Sequence, residues 1–281
     1  HFIPKMIPNI AGGQIAIKHG FHGPNFSLST ACSSASDAIG MAYRLIQSNQ
    51  IHAMVCGGAE GGITPLTLSG FSNMKALSKN NENPQNACKP FDKNRDGFIM
   101  SEGSAMLVLE SLDNAKKRGA TILAEIIGYG ITNDAYHITQ PHNEGLGATS
   151  AINLALKDGG INKDEVNYIN AHGTSTYYND MIETKAIKQV FGRDIAKNLL
   201  VSSTKSMTGH MLGATGAIEA ITCIYAINNG IIPPTINYET PDPECDLNYV
   251  PNKSIESNLN ITISNSFGFG GHNSVLALKK F

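Results

Sequence analysis

The 281-residue chain contains no tryptophan and nowhere strings together the roughly 18 uninterrupted apolar residues that a bilayer-spanning helix requires. Membrane insertion through helices is not expected. Basic excess is missing as well: 21 Lys and Arg stand against 23 Asp and Glu, for a formal charge of −2. Without a global positive field, neither nucleic acid nor anionic lipid is an expected partner. The five cysteines (Cys32, Cys56, Cys88, Cys223 and Cys245) are scattered, odd in number and free of any C-x-x-C spacing. A disulfide framework and a zinc site are therefore not expected, and a reducing compartment suits the chain better. An initiator Met and a signal-type apolar segment are lacking at His1-Phe2-Ile3-Pro4, from which we expect residues upstream in the natural protein. What is abundant is apolar residues, at 41%, and glycine, at 28 residues. Such a chain can bury a core and make many tight turns.

Apolar runs alternate with helical patterns throughout, as in an α/β protein. Period-2 or continuous apolar runs predict strands at 26–29, 53–56, 105–109, 122–127, 166–171, 199–202, 261–266 and 274–278. Helical spacing predicts helices after Cys32 and at 148–156, 181–191 and 213–227. One internal echo points to two related halves. Residues 26–32 and the small-residue helix after them resemble residues 200–210 and the helix opened by Gly213-Ala214-Thr215-Gly216. The halves are expected to part near Ala120, giving units 1–120 and 121–281.

Three side chains stand where chemistry is favoured. Cys32, in Ser29-Thr30-Ala31-Cys32-Ser33-Ser34, lies at a predicted strand-to-helix junction, where unpaired N–H groups and the helix dipole favour thiolate. A buried structural cysteine is an equal alternative on spacing alone. His172 ends an apolar strand and opens the hydroxyl-rich loop Gly173-Thr174-Ser175-Thr176; His210 follows Lys205-Ser206-Met207-Thr208-Gly209. They lie far apart in sequence, so only the fold can gather them. Other features are set aside. The calcium-like run from Asp92 has Gly103 where a bidentate Glu belongs, so no metal is expected. Gly57-Gly58-Ala59-Glu60-Gly61-Gly62 lacks dinucleotide order. Lys116-Lys117-Arg118 reads as a solvated turn, and Asp180 with Glu183 as a helix-capping pair outside the site.

Four segments together carry a resemblance: Thr30-Ala31-Cys32-Ser33-Ser34, Asn170-Ala171-His172-Gly173-Thr174-Ser175-Thr176, Lys205-Ser206-Met207-Thr208-Gly209-His210 and Asn265-Ser266-Phe267-Gly268-Phe269-Gly270-Gly271. In order and spacing they resemble the β-ketoacyl-[acyl-carrier-protein] synthases of the elongating type. The resemblance implies a thiolase-like α/β fold with two pseudo-repeated halves in a five-layered αβαβα arrangement, of which this chain lacks an N-terminal portion. It also implies a reaction. Cys32 takes an acyl group from acyl carrier protein, and malonyl carrier protein loses CO₂ and attacks it. His172 and His210 would stabilise the enolate, Lys205 would stand beside them, and Glu219 would pair with Lys205. The backbone N–H groups of Cys32 and Phe269 would form the oxyanion hole, and the Phe269 ring would gate it. Thr174, Thr176 and Gly268 would hold substrate, and Lys75 would help dock the carrier protein. No cofactor is implied, since phosphopantetheine arrives on the carrier; a homodimer is.

Two departures matter. Tyr177-Tyr178-Asn179 follows the His172 loop where many relatives have Pro, so the tyrosines either narrow the entrance or pack on the surface. Gly271-His272-Asn273 is similar to plastid and cyanobacterial members, and Lys far outnumbers Arg. Both point to a plastid-type organelle (apicoplast or chloroplast), with bacterial cytoplasm as the alternative. Two other functions compete: a ketosynthase domain of a polyketide-type synthase, and a non-catalytic chain-length factor. The Lys205-Ser206-Met207-Thr208 run and the presence of Cys32 speak against them respectively.

Overall fold

The computed structural model describes residues 2–281. Helices α1 (Phe2–Met6), α2 (Ile10–His19) and α3 (Ser34–Gln47) lead to strand β1 (Ala53–Glu60), helix α4 (Pro65–Asn73), strand β2 (Gly103–Glu110) and helix α5 (Leu112–Lys117). Then come β3 (Glu125–Asn133), α6 (Leu146–Asp158), β4 (Val166–Asn170), α7 (Tyr177–Asn198), β5 (Leu200–Ser202), α8 (Lys205–Thr208) and α9 (Thr215–Asn229). The short pair β6 (Ile231–Ile232) and β7 (Ile255–Glu256) precedes β8 (Ile261–Gly268) and β9 (His272–Lys279).

Five strands form one mixed sheet in the order β3-β9-β8-β4-β5, parallel from β8 through β4 to β5 and antiparallel across β8, β9 and β3. Its apolar side chains meet helices on both faces, as the near-continuous burial of β8 and β9 requires. On one face Ile152, Ala155, Ile187 and Val190 of α6 and α7 close over Ile169 and Ile263. On the other, α3 and α9 lie between this sheet and the antiparallel pair β1-β2, burying Ile39, Ala42, Ala220 and Cys223. Residues 35, 39 and 42 recur at helical spacing, as do 217, 220 and 223, so each helix turns a buried apolar stripe inward. Four layers of the αβαβα stack are thus seen among the described residues. The outer face of β1-β2 is open, with Val55, Met106 and Val108 exposed.

The internal echo is visible in the backbone. A 3₁₀ turn at Ala31–Ser33 leads into α3 and another at Leu212–Ala214 leads into α9, and both begin on a residue of positive φ, 52° at Ala31 and 44° at Leu212. Two expected strands differ. Residues 26–29 belong to no ladder, because no neighbouring strand pairs with them among the described residues. The strand expected at 122–127 begins only at Glu125 and runs on to Asn133, where β9 supplies partners.

Candidate active site

The carboxyl ends of β4, β5 and β8 converge, and the chain that leaves each strand there carries a candidate side chain. β4 runs into His172, β5 into Lys205 and β8 into Phe269; the turns before α3 and α9 bring Cys32 and His210 to the same place. This is where open α/β sheets gather ligands. A cavity of about 800 Å³ opens there, and Cys32, His172, His210, Thr174, Thr176, Gly268, Phe269 and Lys75 all line it.

Lys205 is fully buried and holds the centre together. Its ammonium donates to Glu219 Oε1 at 2.5 Å, to the His172 carbonyl at 2.5 Å and to His172 Nδ1 at 3.3 Å. A buried cation of this kind is tolerable only with its charge paired and its donors used. Burial also pushes the Glu219 carboxyl up to about 7, against the pull of Lys205. The two imidazoles meet edge to face, with ring centres 5.4 Å apart. His210 is fixed from the other side: its backbone N–H donates to the Ile99 carbonyl at 2.7 Å, and its ring Nδ1 lies 3.0 Å from the Thr215 hydroxyl. Burial first, and the Lys205 charge second, hold both imidazoles well below their ordinary pKa, so both are neutral. His172 Nδ1 faces the Lys205 ammonium, which can only donate, so its Nε2 carries the proton; His210 takes the same form when the Thr215 hydroxyl donates to its Nδ1.

Cys32 stands partly open on the cavity wall, at the start of the helical segment as its sequence implied. The expected thiolate is not what its surroundings favour. Packed protein around the sulfur pushes the thiol up to about 11, outweighing the Lys205 charge and the backbone N–H groups of Phe269 and Cys32 that pull it down. Those two N–H groups nevertheless lie close enough to the sulfur to favour its ionised form. Gly268 allows the approach, since a Cβ there would fall 2.7 Å from the Thr30 carbonyl oxygen and 3.1 Å from the Cys32 nitrogen.

Asp180 and Glu183 are not a capping pair. Helix α7 starts at Tyr177, and both carboxylates are buried on its inner face. Glu183 accepts from the N–H groups of His172 (2.9 Å) and Gly173 (2.8 Å) and from Asn265 Nδ2 (3.0 Å), so it clamps the histidine loop to β8. Asp180 accepts from the Phe91 N–H at 2.8 Å and faces the buried Arg95 guanidinium at 3.6 Å. Arg95 also donates to the carbonyls of Thr176 and Tyr177, fixing the cavity mouth. Thr174 and Thr176 bond each other through their hydroxyls at 2.8 Å. Tyr177 and Tyr178 line the mouth, half-exposed, which favours the narrowed entrance over plain surface packing. The Asp92 carboxylate accepts from the N–H groups of Asn94, Glu239 and Thr240, so it serves a turn.

Known proteins resemble this chain over nearly its full length. The family models for the β-ketoacyl synthase N-terminal and C-terminal domains match residues 1–115 and 123–239. A 3-oxoacyl-[acyl-carrier-protein] synthase 2 from Synechocystis sp. is 56% identical over 279 residues, covering 99% of this chain and 67% of that protein. Its counterpart from Staphylococcus aureus is 51% identical over 280 residues, covering 100% of this chain and 67% of that one. Among solved structures, a type II polyketide ketosynthase in complex with its acyl-carrier protein superposes with a TM-score of 0.95 at 40% identity, over 97% of this chain and 67% of that one. A β-ketoacyl synthase from Burkholderia phymatum gives 0.93 at 36%, over 98% and 66%.

Proposed function

The chain belongs to the β-ketoacyl synthase family, and we propose that its cavity carries out the decarboxylative condensation of type II fatty-acid synthesis, as an acyltransferase acting on carrier-bound thioesters. The observation that carries this reading is the meeting of one thiol, the Gly268-Phe269 loop and two buried imidazoles in edge-to-face contact in one cavity.

Cys32 sulfur attacks the acyl thioester carbonyl, and the oxygen that gains negative charge sits against the N–H groups of Cys32 and Phe269. The carrier thiol leaves with a proton, and the acyl group stays on Cys32. Malonyl carrier protein then enters past Thr174 and Thr176, whose hydroxyls meet its phosphopantetheine arm. Loss of CO₂ leaves an electron pair spread onto the thioester oxygen, which neutral Nε2–H groups of His172 and His210 stabilise. A protonated imidazole would be a stronger donor, but burial, and after it the Lys205 charge, keeps both neutral. The enolate carbon attacks acyl-Cys32, the C–S bond breaks, and a 3-oxoacyl carrier protein two carbons longer departs.

No resident cofactor enters this scheme. Homodimerisation belongs to the same reading and is checked by the mass in solution. The plastid-type location is supported by Gly271-His272-Asn273 and by the Synechocystis relative, while the Staphylococcus relative supports bacterial cytoplasm; imaging the tagged protein in its source cell decides. Polyketide extension is favoured by the 0.95 superposition and opposed by the higher identity to fatty-acid enzymes. Product analysis separates them, since repeated condensation without reduction marks the polyketide route.

Substitution tests the roles. Cys32→Ala abolishes condensation, whereas Cys32→Gln, whose amide mimics the acylated thiol in the oxyanion hole, keeps malonyl decarboxylation and loses condensation. Full condensation by Cys32→Ala contradicts the scheme.

A further inference from the structure

The turn that presents Cys32 adopts a backbone conformation its residues do not favour. Ala31, which has a Cβ, sits at φ 52°, in the left-handed region where glycine is at home. Bonds within the turn support it: Ser33 N–H donates to the Thr30 carbonyl at 3.2 Å, and the Ser34 hydroxyl donates to the Ala31 carbonyl at 2.7 Å. One further side chain grips the turn from α3, and it is a carboxylate.

Asp37 is only 2% exposed. Its Oδ2 accepts from the hydroxyls of Thr30 and Ser33, the latter at 3.2 Å, so it holds the residues on both sides of Ala31-Cys32. Its Oδ1 accepts from the Tyr129 hydroxyl at 2.7 Å, across 92 residues of sequence. Burial raises the Tyr129 phenol, which therefore stays a donor. Tyr129 is itself firmly seated. Its ring lies on α3 at Gly40, where a Cβ would fall 2.4 Å from it. Its N–H donates to Asp158 at 3.0 Å and its carbonyl accepts from Arg44 at 3.1 Å, while Arg44 and Asp158 pair at 2.7 Å. Asp37, Gly40 and Arg44 fall on one face of α3 at helical spacing, so that face is a socket for one tyrosine.

We propose that Asp37, clamped by Tyr129, is a positioning residue for the reacting thiol: it holds the Thr30 and Ser33 hydroxyls so that the strained Ala31 turn keeps the Cys32 N–H directed at the oxyanion. The inference rests on the condensing reading given above. Asp37 need touch neither substrate nor sulfur. Because the histidines are held by other groups, the clamp acts on acyl transfer to Cys32 more than on loss of CO₂ from malonyl carrier protein.

The test compares Tyr129→Phe, Thr30→Val and Asp37→Asn with the native protein. Three quantities are measured: the initial rate of acylation of Cys32 from an acyl carrier protein thioester, the rate of malonyl carrier protein decarboxylation, and the melting temperature. Tyr129→Phe and Thr30→Val preserve shape and decide the matter even where Asp37→Asn fails to fold. The ratio of acylation to decarboxylation falls at least ten-fold in each folded variant. Adding Ala31→Gly to Tyr129→Phe restores part of it, since glycine holds a positive φ without the clamp. An unchanged ratio, or both rates falling in step with the melting temperature and no rescue by Ala31→Gly, overturns the inference. Native protein that never acylates Cys32 contradicts the condensing reading itself, a failure visible before any variant is made.

Discussion

At the scale of single residues, the site depends on which forces win at each titratable group. A helix start and a nearby ammonium draw Cys32 toward thiolate, yet burial prevails and leaves the thiol at about 11. Thiolate is then scarce at neutral pH and increases about ten-fold per pH unit below that value. Alkylation of Cys32 by iodoacetamide in the acyl-free protein should follow the same slope between pH 7 and 9; a rate already flat above pH 7 would mean a thiol far more acidic than its surroundings allow. The residues proposed to react were legible because each sits in an unusual local pattern, a thiol or imidazole among Gly, Ser and Thr. The residues that support them were not. Glu183 precedes the buried Ile187 by one helical turn, so its place on the inner face of α7 could be read from periodicity, but its task of holding the His172 loop could not. Asp37 sits in the first turn of α3, where a carboxylate needs no special role, and its partner Tyr129 is 92 residues away.

Among the elements, the β8–β9 hairpin has the most direct part in the proposed chemistry. Phe269 lies in its connecting loop, half-buried, with Gly270 and Gly271 following at φ 83° and 78°. Hydrogen bonds from Gly270 to Ile138 and from Asp134 and Asn133 to the Gly271 and Gly270 carbonyls anchor the far side of this loop, so a ring on the cavity wall hinged at Gly268 suits a gate over Cys32. Phe269→Ala keeps the N–H, so it should retain some turnover while speeding alkylation of acyl-free Cys32 and loosening the order of acyl and malonyl entry. A ring that merely fills core space would instead lower stability by roughly 3–5 kcal/mol with no change in Cys32 reactivity. Alkylation rates and melting midpoints measured on the same samples distinguish these outcomes. Most of the helices and strands were readable from apolar period, since the buried stripes of α3 and α9 and the continuous runs of β8 and β9 are strong signals. The extended stretch 26–29 shows the limit: alternation specifies which face a strand would bury, while strand formation also needs a hydrogen-bonding neighbour that local sequence does not reveal.

Across the whole molecule, a slightly acidic chain must still receive its carrier-borne substrates. Where that carrier is acidic, as the family resemblance implies, docking relies on cations at the cavity mouth rather than on net charge. Lys75 is exposed on that rim. Lys75→Glu should raise the KM for carrier-bound substrate several-fold and leave that for a small thioester analogue unchanged; equal effects on both would deny it a docking role. The central claim is that the cavity joins one acyl-accepting thiol to two enolate-stabilising imidazoles, and covalent capture tests it most directly. Native protein incubated with acyl carrier protein thioesters and analysed by peptide mass spectrometry should carry a single acyl group on Cys32, absent from Cys32→Ala. No adduct, or an adduct on Cys56, Cys88, Cys223 or Cys245 in place of Cys32, would contradict the account.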